Sequence, residues 1–94
     1  MFIILRLIWD EWNIAHIARH NVIPDEVEQV CFGDPVIQKG DKGRKLLTGP
    51  TDAGRMLSVV LDPEDEEGVY YPVTARPASR PERAHYQKEK GVKI

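Results

Sequence analysis

The chain has 94 residues, 41% hydrophobic and 30% charged, with a net charge of −2. That length holds one domain, residues 1–94, and the composition excludes a disordered or collagen-like chain. The longest apolar run, residues 1–5, is ended by Arg6 and falls far short of the ~20 residues a membrane-spanning helix needs. No charged segment precedes it and no small-residue cleavage site follows, so no secretory signal is expected. A single cysteine, Cys31, makes neither an internal disulfide nor a cysteine-based zinc site, which fits a reducing cytoplasm.

Residues 2–8 are β-rich and almost continuously apolar, as in a strand covered on at least one face. Asp10 then offers an N-cap for a helix over residues 11–20, in which Ile14, Ile17 and Ala18 share the apolar face. Asn13, His16 and His20 fall within about 60° of one another on the opposite side. A second helix is expected over residues 24–31: Pro24 suits the first position, Asp25 and Glu26 complement the dipole, and Val27, Val30 and Cys31 form the buried stripe. Ile23, before that proline, supplies no side-chain cap. Gly33 and Asp34-Pro35 stop the helix.

Residues 38–43 read as a polar loop with two glycines. Strands follow over residues 44–49, 55–62 and 69–76, and their short connections force an antiparallel meander. Pro72 removes one ladder donor, so it needs a sheet edge or a bulge. The last helix, residues 79–89, opens on a capping box, Ser79 with Glu82. The predicted order is βααβββα, an α+β fold with helices packed on one small antiparallel sheet.

Charge is unevenly spread. Residues 63–69 carry four acids and no base, whereas residues 70–94 carry six bases and two acids. Arg76 lies at the end of the last strand, and Arg80, Arg83 and Gln87 share one side of the following helix with Tyr86 adjacent. Guanidinium groups meeting near a helix N-terminus suit a phosphodiester, while pairing with surface acids is the plainer alternative. Lys39, Lys42, Arg44 and Lys45 form a second basic cluster, to which Arg55 is added as an RNA-backbone contact. His16 and His20, four apart, have no glutamate after the first histidine, and no spacing points to Asp10, Glu11 or His85 as a third metal ligand. A solvated pair, or a proton carrier, is the expected role. Trp9 and Trp12 read as core and helix-packing residues rather than base-stacking platforms.

Trp9-Asp10-Glu11-Trp12-Asn13-Ile14-Ala15-His16-Ile17-Ala18-Arg19-His20-Asn21-Val22, followed by Pro24-Asp25-Glu26-Val27-Glu28, resembles the opening of the BrnT toxin family. Gly54-Arg55, then Tyr70-Tyr71-Pro72-Val73-Thr74-Ala75-Arg76-Pro77-Ala78-Ser79 with Glu82-Arg83 and Tyr86, resembles its closing segment. The resemblance implies a bacterial type II toxin with a RelE-like fold, acting as a ribonuclease. It also implies neutralisation by an antitoxin with a ribbon-helix-helix DNA-binding part, the complex repressing its own operon. The expected reaction needs no metal or cofactor: the RNA 2′-OH attacks the adjacent phosphorus and leaves a 2′,3′-cyclic phosphate. Charge stabilisation falls to Arg76, Arg80 and Arg83, and proton transfer to His16 or His20, with Tyr86 and Glu82 as further candidates. The rival expectation is a non-catalytic module of the same fold that only binds the antitoxin.

Overall fold

The computed structural model describes residues 2–91; Met1, which opens the apolar run, and residues 92–94 lie outside the described residues. In chain order the elements are β1 (Arg6–Leu7), α1 (Glu11–Ala18), α2 (Pro24–Cys31), β2 (Val36–Lys39), β3 (Lys45–Pro50), β4 (Met56–Pro63), β5 (Val69–Pro77) and α3 (Arg80–Lys90). A tight turn at Asp41–Gly43 joins β2 to β3. Across the sheet the strands run β1-β5-β4-β3-β2.

Alternation along β4 decides where the core lies. Leu57, Val59 and Leu61 are fully buried on one face. Leu47 on β3 and Ala75 on β5 are their cross-strand neighbours. Ile17 of α1, Val27 and Val30 of α2, and Val22 between them complete this cluster. Ser58 points to the other face, in one row with Thr48 and Arg76, and α3 begins over that row.

Two expectations of topology need correction. A strand, β2, stands where a polar loop was expected from residue 38, so the meander has four strands, β2 to β5, and the order is βααββββα. Gln38 and Lys39 are tolerated because β2 is an edge strand that pairs with β3 alone. The sheet is mixed rather than purely antiparallel, since β1 lies parallel to β5. Two helices separate β1 from the meander, so no hairpin dictates its direction. Only Arg6 and Leu7 of the expected 2–8 strand enter the ladder, against Val69 and Tyr70.

Pro72 sits at a bulge. Val60 pairs with Thr74 and Leu61 with Pro72, which leaves Val73 without a partner and re-aims the end of β5.

The buried side of α1 differs from the expected one. Asn13 and Ile17 are its buried residues, whereas Ile14 is 42% exposed. Asp10 explains the rotation. Its carboxylate accepts the Asn13 N–H, the Asn13 amide oxygen accepts the Asp10 N–H, and the Asn13 amide nitrogen donates to the Ile8 carbonyl. The polar residue thereby satisfies the entry into the helix from inside. On α2, Val27, Val30 and Cys31 are buried as expected, and Ile23 caps nothing with its side chain, although Glu26 accepts the Ile23 N–H. On α3 the Ser79–Glu82 box is present, and Gly91 ends the helix at φ 67°.

Candidate functional site

Two polar regions flank the free part of β5. β1 covers only the start of β5, so α1 borders its far half, and Thr74 and Arg76 are successive residues on one face there. The spacing puts them about 7 Å apart along the strand.

Arg76 is held tightly. Its two terminal nitrogens donate to the two oxygens of Glu82 at 2.7 and 2.9 Å. Glu82 Oε1 also accepts from the Ser79 N–H and the Ser58 hydroxyl, and Ser58 shares a 2.8 Å hydrogen bond with Thr48. The Arg76 guanidinium, helped by these donors, holds the Glu82 carboxyl well below its ordinary value, at about 2, and Arg76 is raised in return. Ser58 and Thr48 are buried, so this network also solves the burial of two hydroxyls under α3.

Arg83 donates to the Ala78 carbonyl at 2.7 Å, one residue beyond the Pro77 carbonyl that Arg76 approaches. Both guanidinium groups thus bond to backbone carbonyls of the β5–α3 junction. Arg80 is exposed and makes no side-chain hydrogen bond or ion pair among the described residues. Tyr86 is half-buried, one turn on from Glu82.

The second region is the outer side of α1. His16 Nε2 lies 3.1 Å from Thr74 Oγ1, and the His16 and His20 rings stand edge to face with centroids 6.0 Å apart. Arg19 and Trp12 lie on the same stripe as His16. Trp12 is 84% exposed, which overturns the expectation that it packs in the core. Trp9 alone meets that expectation: it packs against the cluster and donates to Glu28 at 2.9 Å. Tyr71 closes the lower end, donating to both oxygens of Asp10 at 3.0 Å. The Asn13 N–H and this hydroxyl lower the Asp10 carboxyl, while burial and the neighbouring carboxylate raise the Tyr71 hydroxyl.

Of the expected RNA-backbone residues, Lys39, Lys42, Arg44 and Lys45 are not brought to this site, whereas Arg55 reaches the backbone of His20. Lys45 begins β3 opposite Leu61, three register rows from the Ser58–Arg76 row, and its ammonium lies 5.7 Å from the Phe2 ring centroid. Lys39 pairs with Lys45 across the hairpin, Lys42 is in its tight turn, and Arg44 bonds to Asp62 at 3.3 Å. Arg55 ties the α1–α2 corner together. It donates to the carbonyls of Asn21 and His20 beyond the end of α1 and to both oxygens of Glu26. Its charge serves the α1–α2 corner.

Compared with models of protein families and with curated proteins, the chain matches none. Among the described residues no group of three or more His, Cys, Asp or Glu side chains converges as a metal site, and no helix is long and apolar enough to cross a membrane.

Chemically, α1 and the middle of β5 offer two imidazoles and a hydroxyl, and the β5–α3 junction offers guanidinium groups. Thr74 and Arg19 were not singled out from the sequence. Arg19 was legible as the third member of the 12, 16, 19 helical stripe, whereas Thr74 gave no local signal, because its pairing with His16 spans 58 residues.

Proposed function

We propose that this chain is an RNA-cleaving toxin of the BrnT kind, with a RelE-like arrangement, acting without a metal at the free end of β5. The observation that carries the reading is the His16–Thr74 contact at 3.1 Å with the His20 ring 6.0 Å away, on the strand that leads to Arg76. RNA contains its own nucleophile. Cleavage needs the 2′-OH deprotonated, the 5′-oxygen protonated as it leaves, and the extra negative charge on phosphorus met by cations. Imidazole is the side chain suited to both proton transfers near neutral pH, so His16 and His20 take them, one as base and one as acid. Thr74 orients the His16 ring. Arg80 and Arg83 meet the phosphate oxygens, and Arg76 sets the position of the α3 start through Glu82. The resemblance supplies the partner: a ribbon-helix-helix antitoxin, with DNA reached only through it.

Purified protein incubated with single-stranded RNA in EDTA tests this. The expected products end in 2′,3′-cyclic phosphate, and His16→Ala or His20→Ala slows cleavage about 10²–10⁴-fold. Arg80→Ala combined with Arg83→Ala abolishes growth arrest while the protein stays folded. Intact RNA in the presence of folded wild-type protein would remove the catalytic reading.

The second reading, a non-catalytic module that binds the antitoxin, is favoured by one specific feature. Glu82 already occupies both terminal nitrogens of Arg76, so that guanidinium is not free for phosphate. This reading predicts tight antitoxin binding and operon repression with no RNA cleavage.

A further inference from the structure

Among the described residues, Trp12 is the most exposed of the large hydrophobics, at 84%. A protein-docking hot spot is normally ringed by apolar groups that exclude water. Around Trp12 the neighbouring side chains instead include Glu11, His16 and Arg19. The concavity of about 470 Å³ on one side of it is lined by Glu11, Ala15, His16 and Arg19. A second, of about 220 Å³, shares Trp12 and His16 and is floored by Tyr71 and Val73. Of the other exposed apolar residues, Ile14 shares α1 with Trp12, Ile23, Phe32 and Ile37 lie on other segments, and Ile3 and Leu5 lie with Phe2 and Tyr70 around a separate concavity at the β1 edge.

This geometry is a freestanding aromatic plate flanked by two hollows. Ala15 keeps the first hollow open, because it sits one turn from both Trp12 and Arg19 and projects only a methyl group. Arg19 and His16 supply cationic and hydrogen-bonding edges. Glu11, at the same rim, accepts N–H donors and repels phosphate, so the hollow suits a base rather than a backbone group. Unpaired bases present such N–H groups and a free π-face, whereas a duplex buries both.

We infer that Trp12 is a stacking platform for an unpaired nucleobase of single-stranded RNA, placing the adjoining nucleotide beside His16. This rests on the RNA reading above and extends it to substrate class: the strand must be single, and one base must stack on the indole. The contribution of one stacked base corresponds to about 5- to 150-fold in affinity.

The test uses a Trp9→Phe variant, which leaves Trp12 as the sole indole, and six-nucleotide 2′-O-methyl RNA that cannot be cleaved. Its emission is quenched by the single strand and unchanged by the matching duplex. Trp12→Ala in the full chain raises the oligonucleotide Kd at least fivefold at an unaltered melting temperature, and Trp12→Phe restores part of the loss. No quenching, or a Kd unchanged in Trp12→Ala, overturns the inference, as does quenching by a protein partner alone. The two readings fail separately. Trp12-dependent binding without cleavage of ordinary RNA keeps the platform and removes the nuclease, whereas cleavage with an unchanged KM in Trp12→Ala does the reverse.

Discussion

At the residue scale, Glu82 links stability to the chemistry of the β5–α3 junction. Its carboxyl is depressed to about 2 from an ordinary value of 4.5, chiefly by Arg76. A depressed carboxyl stabilises the fold fully above its unfolded value, and the stabilisation is lost as pH falls through the folded value. Stability is therefore expected to decline between about pH 4.5 and 2, and Glu82→Gln should flatten that decline while costing about 2 kcal/mol at neutral pH. Urea unfolding of both proteins at a series of pH values measures it. Asn13 is the second such residue. Asn13→Ala leaves the Ile8 carbonyl and the Asp10 N–H without their partner and should cost about 1–3 kcal/mol, read as a lower urea midpoint with an unchanged slope. Cys31 behaves differently: burial, with Glu28 nearby, pushes its thiol up to about 12. Thiol reagents should label it only as fast as the α2 region opens, so its labelling rate is expected to rise in the Asn13 variant.

At the element scale, the helices differ in what holds them. α2 lays Val27, Val30 and Cys31 into the core. α3 has no fully buried residue; its attachment rests on Glu82 at one end and on Lys90, which donates to Asp34 at 2.7 Å, at the other. A helix fixed by polar contacts at its ends opens before one that buries an apolar stripe. Amide exchange is expected to be fastest in α3 among the helices, and faster still in Glu82→Gln with Lys90→Ala. β1 has its own weak point. Gly68 adopts φ 84°, and a Cβ there would lie 2.7 Å from Leu5 Cγ. Gly68→Ala should therefore cost about 1–3 kcal/mol in thermal or urea unfolding and loosen the residues before β1, since both the backbone conformation and the close approach resist a methyl group.

At the scale of the whole molecule, the core lies on one side of the sheet, and β4 runs through its middle. Leu47, Leu57, Val59 and Leu61 are fully buried there beneath α1 and α2, while the opposite face carries the hydroxyl network under the start of α3. Leu47→Ala should cost about 2–5 kcal/mol, because the packed sheet and two helices cannot collapse onto the gap. Differential calorimetry should show one transition shifted down, as expected of a small chain with a single core.

Much of this arrangement was written in local sequence. The Ser79–Glu82 and Asp10 caps, the Val27/Val30/Cys31 stripe, the β4 alternation and the Pro72 irregularity all depend on residues within a few positions of one another, where backbone sterics and period dominate. The strand β2 was missed because an edge strand tolerates polar residues, and the α1 face was misassigned because an inward asparagine can be satisfied by its own cap. What required the tertiary structure was pairing over distance. Arg55 reaches the end of α1 across 34 residues, His16 reaches Thr74 across 58, and Trp12 is left standing in solvent because, among the described residues, no element covers its side chain. Spacing on one element says which side chains share a face, but only the folded chain decides what that face meets.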